Sequence, residues 1–153
     1  MHHESPTQPL PSHPRNHRAG REAPEHVEAS GLDKTISELI KIRVSQINGC
    51  AFCLHMHTHD ARKHGETETR IFVLAGWRES RLFNTKERAA LAWAESLTHV
   101  AERAAPDALF DDLKASFSDR EIAALTMAVA MVNLWNRFAI GLGSVHPNEL
   151  KVT

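Results

Sequence analysis

The chain has 153 residues, of which 42% are hydrophobic and 24% are charged, and its formal net charge is −1. These values are typical of one globular domain with a single core. The lack of a basic excess argues against binding to nucleic acid or to an anionic membrane surface. No apolar run reaches the length of a bilayer span and no signal-peptide pattern is present, so a cytoplasmic protein is expected.

The beginning of the chain differs in composition from the rest. Five of the seven prolines lie in the first 24 residues, where apolar residues are few and follow no period. Such a composition is typical of a disordered or extended tail. We therefore predict a tail over residues 1–26 and one helical domain over residues 27–153. The histidines of the tail are interpreted as solvated; they are His2, His3, His13 and His17.

After the tail, apolar residues recur at helical spacing and strand signals are nearly absent. The sequence therefore predicts an all-α fold of about six helices. Their expected ranges are 32–48, 50–65, 66–76, 85–100, 106–117 and about 118–141. The last of them contains the longest apolar stretch, which we interpret as a buried core helix.

Capping residues mark several of the helix starts. Asn48 is a good N-cap for the second helix, and Thr85 is expected to cap the fourth. Ser118 and Glu121 form the Ser-x-x-Glu pattern of a capping box ahead of the last helix. Gly49 interrupts the apolar pattern between the first two helices.

Both cysteines lie in the stretch NGCAFCLHMHTHD. On a helix that begins at about Asn48, Cys50, Cys53 and His57 fall on one stripe, because successive residues turn by roughly 100°. Cys53 would lie in the first turn, where the helix dipole stabilises a thiolate, and His57 could accept its proton. Cys53 is therefore the candidate nucleophile, and Cys50 is the candidate resolving partner.

Glu38 joins this group if the chain reverses at Gly49 into a helical hairpin. At 1.5 Å per residue, Glu38 lies roughly 15 Å down the first helix and His57 roughly 13 Å up the second. A carboxylate level with the imidazole would orient the ring and raise its basicity. One continuous straight helix would instead keep the two side chains far apart.

This spacing of glutamate, Cys-x-x-Cys and histidine, within ELIKIRVSQINGCAFCLHMHTHDARKHGE, resembles the alkylhydroperoxidase D-like branch of the carboxymuconolactone decarboxylase superfamily. The segments TKERAALAWAESLT and VNLWNRFAI also resemble that branch, so the resemblance extends from about Val27 to Leu142. It implies an all-helical, usually oligomeric protein. One position departs from the pattern: Phe52 stands where the characterised alkylhydroperoxidase has a further histidine.

The resemblance also implies a peroxidase cycle. Cys53 would attack a peroxide and become a sulfenic acid, and Cys50 would condense with it to a disulfide. A thiol or dithiol reductant, which could be a protein or a lipoyl adaptor, would then reopen that disulfide. The resemblance assigns Glu38 and His57 to a proton relay, and it implies no cofactor.

Other interpretations of the cysteine pair stay open. The two thiols could be small buried apolar residues, or they could sense oxidants without turnover. Zinc could bind Cys50, Cys53 and His57, with Glu38 or water as fourth ligand. No second cluster stands at zinc-finger spacing, so we expect no metal. A lactone decarboxylase-like enzyme is a further alternative, and its activity would survive loss of both cysteines.

The run HMHTH suggests a metal motif by eye, but helical geometry separates its members. His55 and His57 differ by about 200° around a helix. His55 and His59 share a different face and are interpreted as solvated or interfacial histidines.

Overall fold

The computed structural model describes residues 31–146, and within that range all regular structure is helical. The predicted all-α class with six α-helices is confirmed there. The tail predicted for residues 1–26 lies outside the described residues. The helices are α1 Lys34–Asn48, α2 Ala51–Lys63, α3 Glu68–Val73, a 3-10 turn Leu74–Gly76, α4 Thr85–Thr98, α5 Asp107–Ser116 and α6 Asp119–Gly141.

Helix α1 is the centre of the fold, because α2, α4 and α6 all pack against it. Its apolar side chains are buried on several sides, among them Leu39, Ile40 and Val44. A helix surrounded in this way holds its side chains in fixed positions. Glu38, which lies among these residues, is therefore presented to α2 from a rigid support.

The turn between α1 and α2 is a tight reversal. Gly49 ends α1 in the left-handed conformation, with φ of 70°, which costs glycine no side-chain clash. The amide of Gly49 donates to the carbonyl of Gln46, and the amide of Cys50 donates to that of Ser45. α2 begins at the next residue, so the structure contains the expected helical hairpin.

Two of the expected caps were assigned to the wrong residue. Asn48 is the last residue of α1, and its side-chain amide donates to Asn133 and Asn136 of α6. The N-cap of α2 is Cys50, whose Sγ accepts from the amide of Cys53 at 3.3 Å. The Asn48 side chain therefore binds α6, although its local propensity favours an N-cap.

The cap of α4 lies one residue earlier than predicted. Asn84, rather than Thr85, accepts from the amide of Glu87, and the Glu87 carboxylate accepts from the amide of Asn84. This reciprocal pair is a capping box. The predicted box of Ser118 and Glu121 is confirmed at the start of α6.

Helix α6 is only partly a core helix. One face is buried against α1 and α4, while Met127, Leu134 and Phe138 on the other are 56%, 44% and 51% exposed. The sequence predicts no segment long and apolar enough to span a membrane, but α6 is long and apolar enough by length and composition. Core helices of soluble proteins also reach this length and hydropathy. We call these three residues the α6 stripe.

We predict that the α6 stripe is covered by another copy of the chain, because a row of large apolar side chains is costly to leave in water. Light scattering at micromolar concentrations in neutral buffer should therefore give a mass above that of one chain. Leu134→Glu should shift that mass toward the single chain. A wild-type protein that stays monomeric over the whole range would contradict the prediction.

Candidate functional site

The two cysteines meet at the start of α2. The structure joins Cys50 and Cys53 in a disulfide, with their Cα atoms 5.3 Å apart. The residues are only 1% and 2% exposed. Cys50 is held by its N-cap position and Cys53 lies in the first helical turn, so the Gly49 reversal fixes both.

The helix N-terminus acts on the two sulfurs differently. As the N-cap, Cys50 receives the amide hydrogen of Cys53 on its Sγ. Cys53 has a different advantage, since His57 follows one helical turn later on the same face. A thiolate at either position would therefore have one stabilising neighbour. The sequence alone assigned both of these neighbours, the helix terminus and His57, to Cys53.

Glu38 and His57 lie side by side across the hairpin. Oε2 of Glu38 is 3.3 Å from Nδ1 of His57. The two helices place them at the same height, as the rise per residue predicted. Both side chains are largely buried, with exposed fractions of 10% for Glu38 and 13% for His57.

Lys41 is a third member of this group that the sequence analysis did not single out. Its Nζ lies 2.8 Å from Oε1 of Glu38. Burial raises the pKa of Glu38, but the interaction with His57 and the positive charge of Lys41 outweigh it and hold the pKa below its ordinary value. The sequence indicates this contact through the i,i+3 spacing of Lys41 from Glu38, which places the two side chains next to each other on a helix.

A buried amide network fastens α6 to the C-terminal end of α1. Asn136 is fully buried and donates to Ser45, while its Oδ1 accepts from Asn48. Asn133 accepts from Asn48 and donates to Thr98 of α4. In the sequence, the sign of this network is the pair of asparagines within the apolar stretch of α6.

A second buried carboxylate, Glu95, lies on α4. Its Oε1 accepts from Nε of Arg43 at 2.6 Å and from the Trp77 indole at 2.9 Å, and its Oε2 is paired with Arg78. The Trp77 side chain is buried. Neither Glu95 nor its partners joins the cysteine group, so this cluster ties α1, α4 and the loop after the 3-10 turn together.

The remaining histidines of α2 point elsewhere. His55 stacks on His146 with ring centroids 4.6 Å apart, and His59 is exposed. Phe52 between the cysteines is partly buried. Within residues 31–146, no group of three or more histidine, cysteine, aspartate or glutamate side chains is placed to hold a metal ion.

The geometry can be set beside known proteins. The sequence model of the carboxymuconolactone decarboxylase family matches residues 21–96. YdfG of Bacillus subtilis, an uncharacterised protein, is 41% identical over 120 residues, which cover 78% of this chain and 82% of YdfG. The chain belongs to the carboxymuconolactone decarboxylase family. 

Two further similarities define the branch of the family. One solved structure is that of a protein of unknown function from Agrobacterium tumefaciens, described as a candidate antioxidant defence protein AhpD. It is 43% identical to this chain with a TM-score of 0.82, and the match covers 88% of this chain and 92% of that one. The alkyl hydroperoxide reductase AhpD of Maricaulis maris is 46% identical over 41 residues, or 27% of this chain and 24% of AhpD. The chain therefore falls in the alkylhydroperoxidase D-like branch, and this relationship suggests an oxidoreductase.

Proposed function

We propose that the protein is a thiol-dependent peroxidase, or more generally a disulfide oxidoreductase, that reduces hydrogen peroxide or organic hydroperoxides. The observation that supports this most directly is the Cys50–Cys53 disulfide in the same hairpin as the buried Glu38–His57 pair. A disulfide between neighbours in one helical turn can open and close without rebuilding the fold. We place the activity in a reducing compartment such as the cytoplasm, where its reductants are available.

In the proposed cycle, the Cys53 thiolate attacks one peroxide oxygen and the O–O bond breaks. The leaving oxygen takes a proton supplied through His57 and departs as water or an alcohol, and Cys53 becomes a sulfenic acid. The Cys50 thiol then attacks that sulfur, water leaves, and the disulfide forms. An external dithiol returns two electrons and two protons, which regenerates both thiols.

Glu38 acts in this cycle through His57. An ionised carboxylate facing Nδ1 favours the tautomer that keeps the proton on that nitrogen and leaves Nε2 to exchange protons. The role needs a carboxylate that remains charged although it is buried, and its lowered pKa supports that state. Glu38 is therefore a positioning residue, and His57 is the proton donor and acceptor.

The near-complete burial of both sulfurs bears on the substrates. A small peroxide needs little room, whereas a folded reductant cannot bring its own thiols to a sulfur covered by the hairpin. We therefore propose a dithiol on a flexible arm, borne by a protein or a lipoyl adaptor, as the class of reductant.

The test is peroxide consumption by the purified full-length chain with small dithiols such as dithiothreitol and dihydrolipoamide. We expect wild type to turn over repeatedly and Cys53→Ser to fall to the rate without protein. Circular dichroism of both proteins controls for folding. A Cys53→Ser variant that consumes peroxide as fast as wild type would refute the assignment and favour a cysteine-independent reaction. A single oxidation without repeated turnover would favour a redox sensor.

A further inference from the structure

We propose that Lys41 is a positioning residue of the site, whose ammonium group holds one carboxylate oxygen of Glu38 so that the other oxygen stays directed at His57 for proton transfer. This inference rests on the proposed function, in which Glu38 and His57 form the relay. It adds a residue that the resemblance does not assign, and it predicts a specific dependence of the reaction on pH.

The contact geometry divides the Glu38 carboxylate between two partners. Oε1 lies 2.8 Å from Nζ of Lys41, and Oε2 lies 3.3 Å from Nδ1 of His57. Lys41 follows Glu38 by one helical turn on the rigid helix α1. One oxygen is therefore held by a full positive charge while the other is directed at the imidazole.

Burial makes this charge necessary. A carboxylate removed from water strongly favours its neutral form unless an opposite charge compensates it. The proposed relay requires His57 to accept a proton, and in that state its imidazole can donate a hydrogen bond to Glu38 but supplies no net charge. The Lys41 side chain is itself only 22% exposed, which limits the screening that weakens surface ion pairs.

The other helices give Glu38 no substitute for Lys41. Among the described residues, the ion-pair partners of Glu38 are Lys41 on its own helix and His57 on α2. The α4 carboxylate that faces α1, Glu95, is bound to Arg43 instead. Arg137 of α6 donates to the main chain and side chain of Asn133.

Loss of the lysine charge should therefore act on the protonation of Glu38. Once Glu38 is protonated, its carboxyl group competes to donate to His57 and no longer selects the tautomer with hydrogen on Nδ1. The defect should appear only at pH values where the variant's carboxyl is protonated and that of wild type is not. A salt bridge that only stabilised the helix would leave the pH profile of the reaction rate unshifted when it is removed.

The functional experiment compares Lys41→Gln with wild type in the rate of peroxide consumption from pH 4 to pH 8. Because an opposite charge at this range typically lowers a carboxyl pKa by about 1 unit or more, the acidic limb should move upward by about 1 pH unit. The rate should be several-fold lower at pH 4, with a limit of about ten-fold, and unchanged near pH 8. Lys41→Arg should restore the wild-type profile.

Lys86→Gln is the matched control. Lys86 forms a lysine–glutamate pair of the same length, 2.8 Å, with Glu121, on α4 and α6 and away from the cysteines. It should leave the pH profile unchanged. A profile shift in this control equal to that of Lys41→Gln would overturn the proposal, since the effect would then come from charge removal anywhere on the chain.

A direct measurement separates this inference from the proposed activity. Carbon-13 NMR of labelled glutamate carboxyl groups, with the Glu38 resonance assigned by Glu38→Gln, should show a higher Glu38 pKa in Lys41→Gln. The Glu38 pKa should rise in this variant even if the protein consumes no peroxide. Absence of peroxide consumption would refute the proposed function but not the role of Lys41. An unchanged Glu38 pKa, or an equal loss of rate at pH 4 and pH 8, would overturn the role of Lys41.

Discussion

A Cys50→Ser variant should reduce a single equivalent of peroxide per subunit and then stop. In the proposed cycle Cys53 supplies the electrons for the O–O cleavage, and Cys50 only removes the resulting sulfenic acid. Without Cys50 the internal disulfide cannot form, so repeated turnover should fall well below that of wild type, to the rate at which an external thiol attacks the sulfenic acid directly. The sulfenic acid left on Cys53 is then open to overoxidation.

The single equivalent would appear as a rapid burst of peroxide consumption. Rapid mixing with peroxide, from substoichiometric to excess amounts, would measure this burst, and intact mass spectrometry would identify the oxidised species. Cys53→Ser is the matched control, because it keeps a thiol in the same turn yet should show no burst. Trapping with a sulfenic-acid reagent should label Cys50→Ser and leave Cys53→Ser unlabelled.

Cys50 is the alternative candidate for the nucleophile. Cys50, as the N-cap, has the amide of Cys53 directed at its sulfur at 3.3 Å, an arrangement that stabilises a thiolate there. Cys53 relies on His57 one turn later. A burst in Cys53→Ser and none in Cys50→Ser would mean that the helix terminus outweighs the histidine and that Cys50 is the nucleophile.

The contact between Glu38 and His57 was predictable because it depends on regular geometry alone. Two helices joined at Gly49 must rise together at a fixed rise per residue, so residues at equal distance from the turn come level. The class of fold was predictable for a similar reason, since helical periodicity persists along the chain from α1 to α6. Both inferences use only local structure and one reversal.

The errors arose where tertiary contacts compete with local preference. Asn48 has the right side chain and position for a cap, but a buried amide network with α6 recruits it from 88 positions away in the sequence. Glu95 and its partners could not be paired from the sequence, because nothing in a helical pattern says which helices become neighbours. Lys41 was visible three residues after Glu38, but its value depends on burial, which only the packed structure supplies.

The Glu95 cluster should make the largest single contribution of any ion pair here to stability. Glu95 is 9% exposed as a residue, and its carboxylate accepts from Arg43, Trp77 and Arg78 together. Glu95→Gln keeps the shape but removes the charge and turns a donor toward a guanidinium. Because one partner of a buried ion pair is removed while the other stays, we expect a loss of about 3 kcal/mol in the free energy of unfolding. Arg78 is half exposed, so its share of that figure is small.

Urea denaturation at neutral pH would measure the loss, with Glu102→Gln as the matched control. Glu102 also pairs with a basic side chain, His99, but its own side chain is 74% exposed. Water screens that pair, so the control should change the stability by less than about 0.5 kcal/mol. Equal effects of the two substitutions would contradict the importance assigned to the Glu95 cluster.

The effect of Glu95→Gln should also depend on pH in a defined direction. Burial raises the pKa of Glu95, but the hydrogen bonds from Trp77, Arg43 and Arg78 outweigh it and hold the pKa below its ordinary value of 4.5. A carboxyl group with a depressed pKa stabilises the folded state fully above its unfolded-state pKa and loses that contribution as the pH falls through the folded-state pKa. The difference in unfolding free energy between wild type and Glu95→Gln should therefore be constant from neutral pH down to about 5 and shrink below about 4.5. A difference that persists unchanged at pH 3 would mean that Glu95 stabilises the fold through its shape and hydrogen-bonding capacity rather than through its charge.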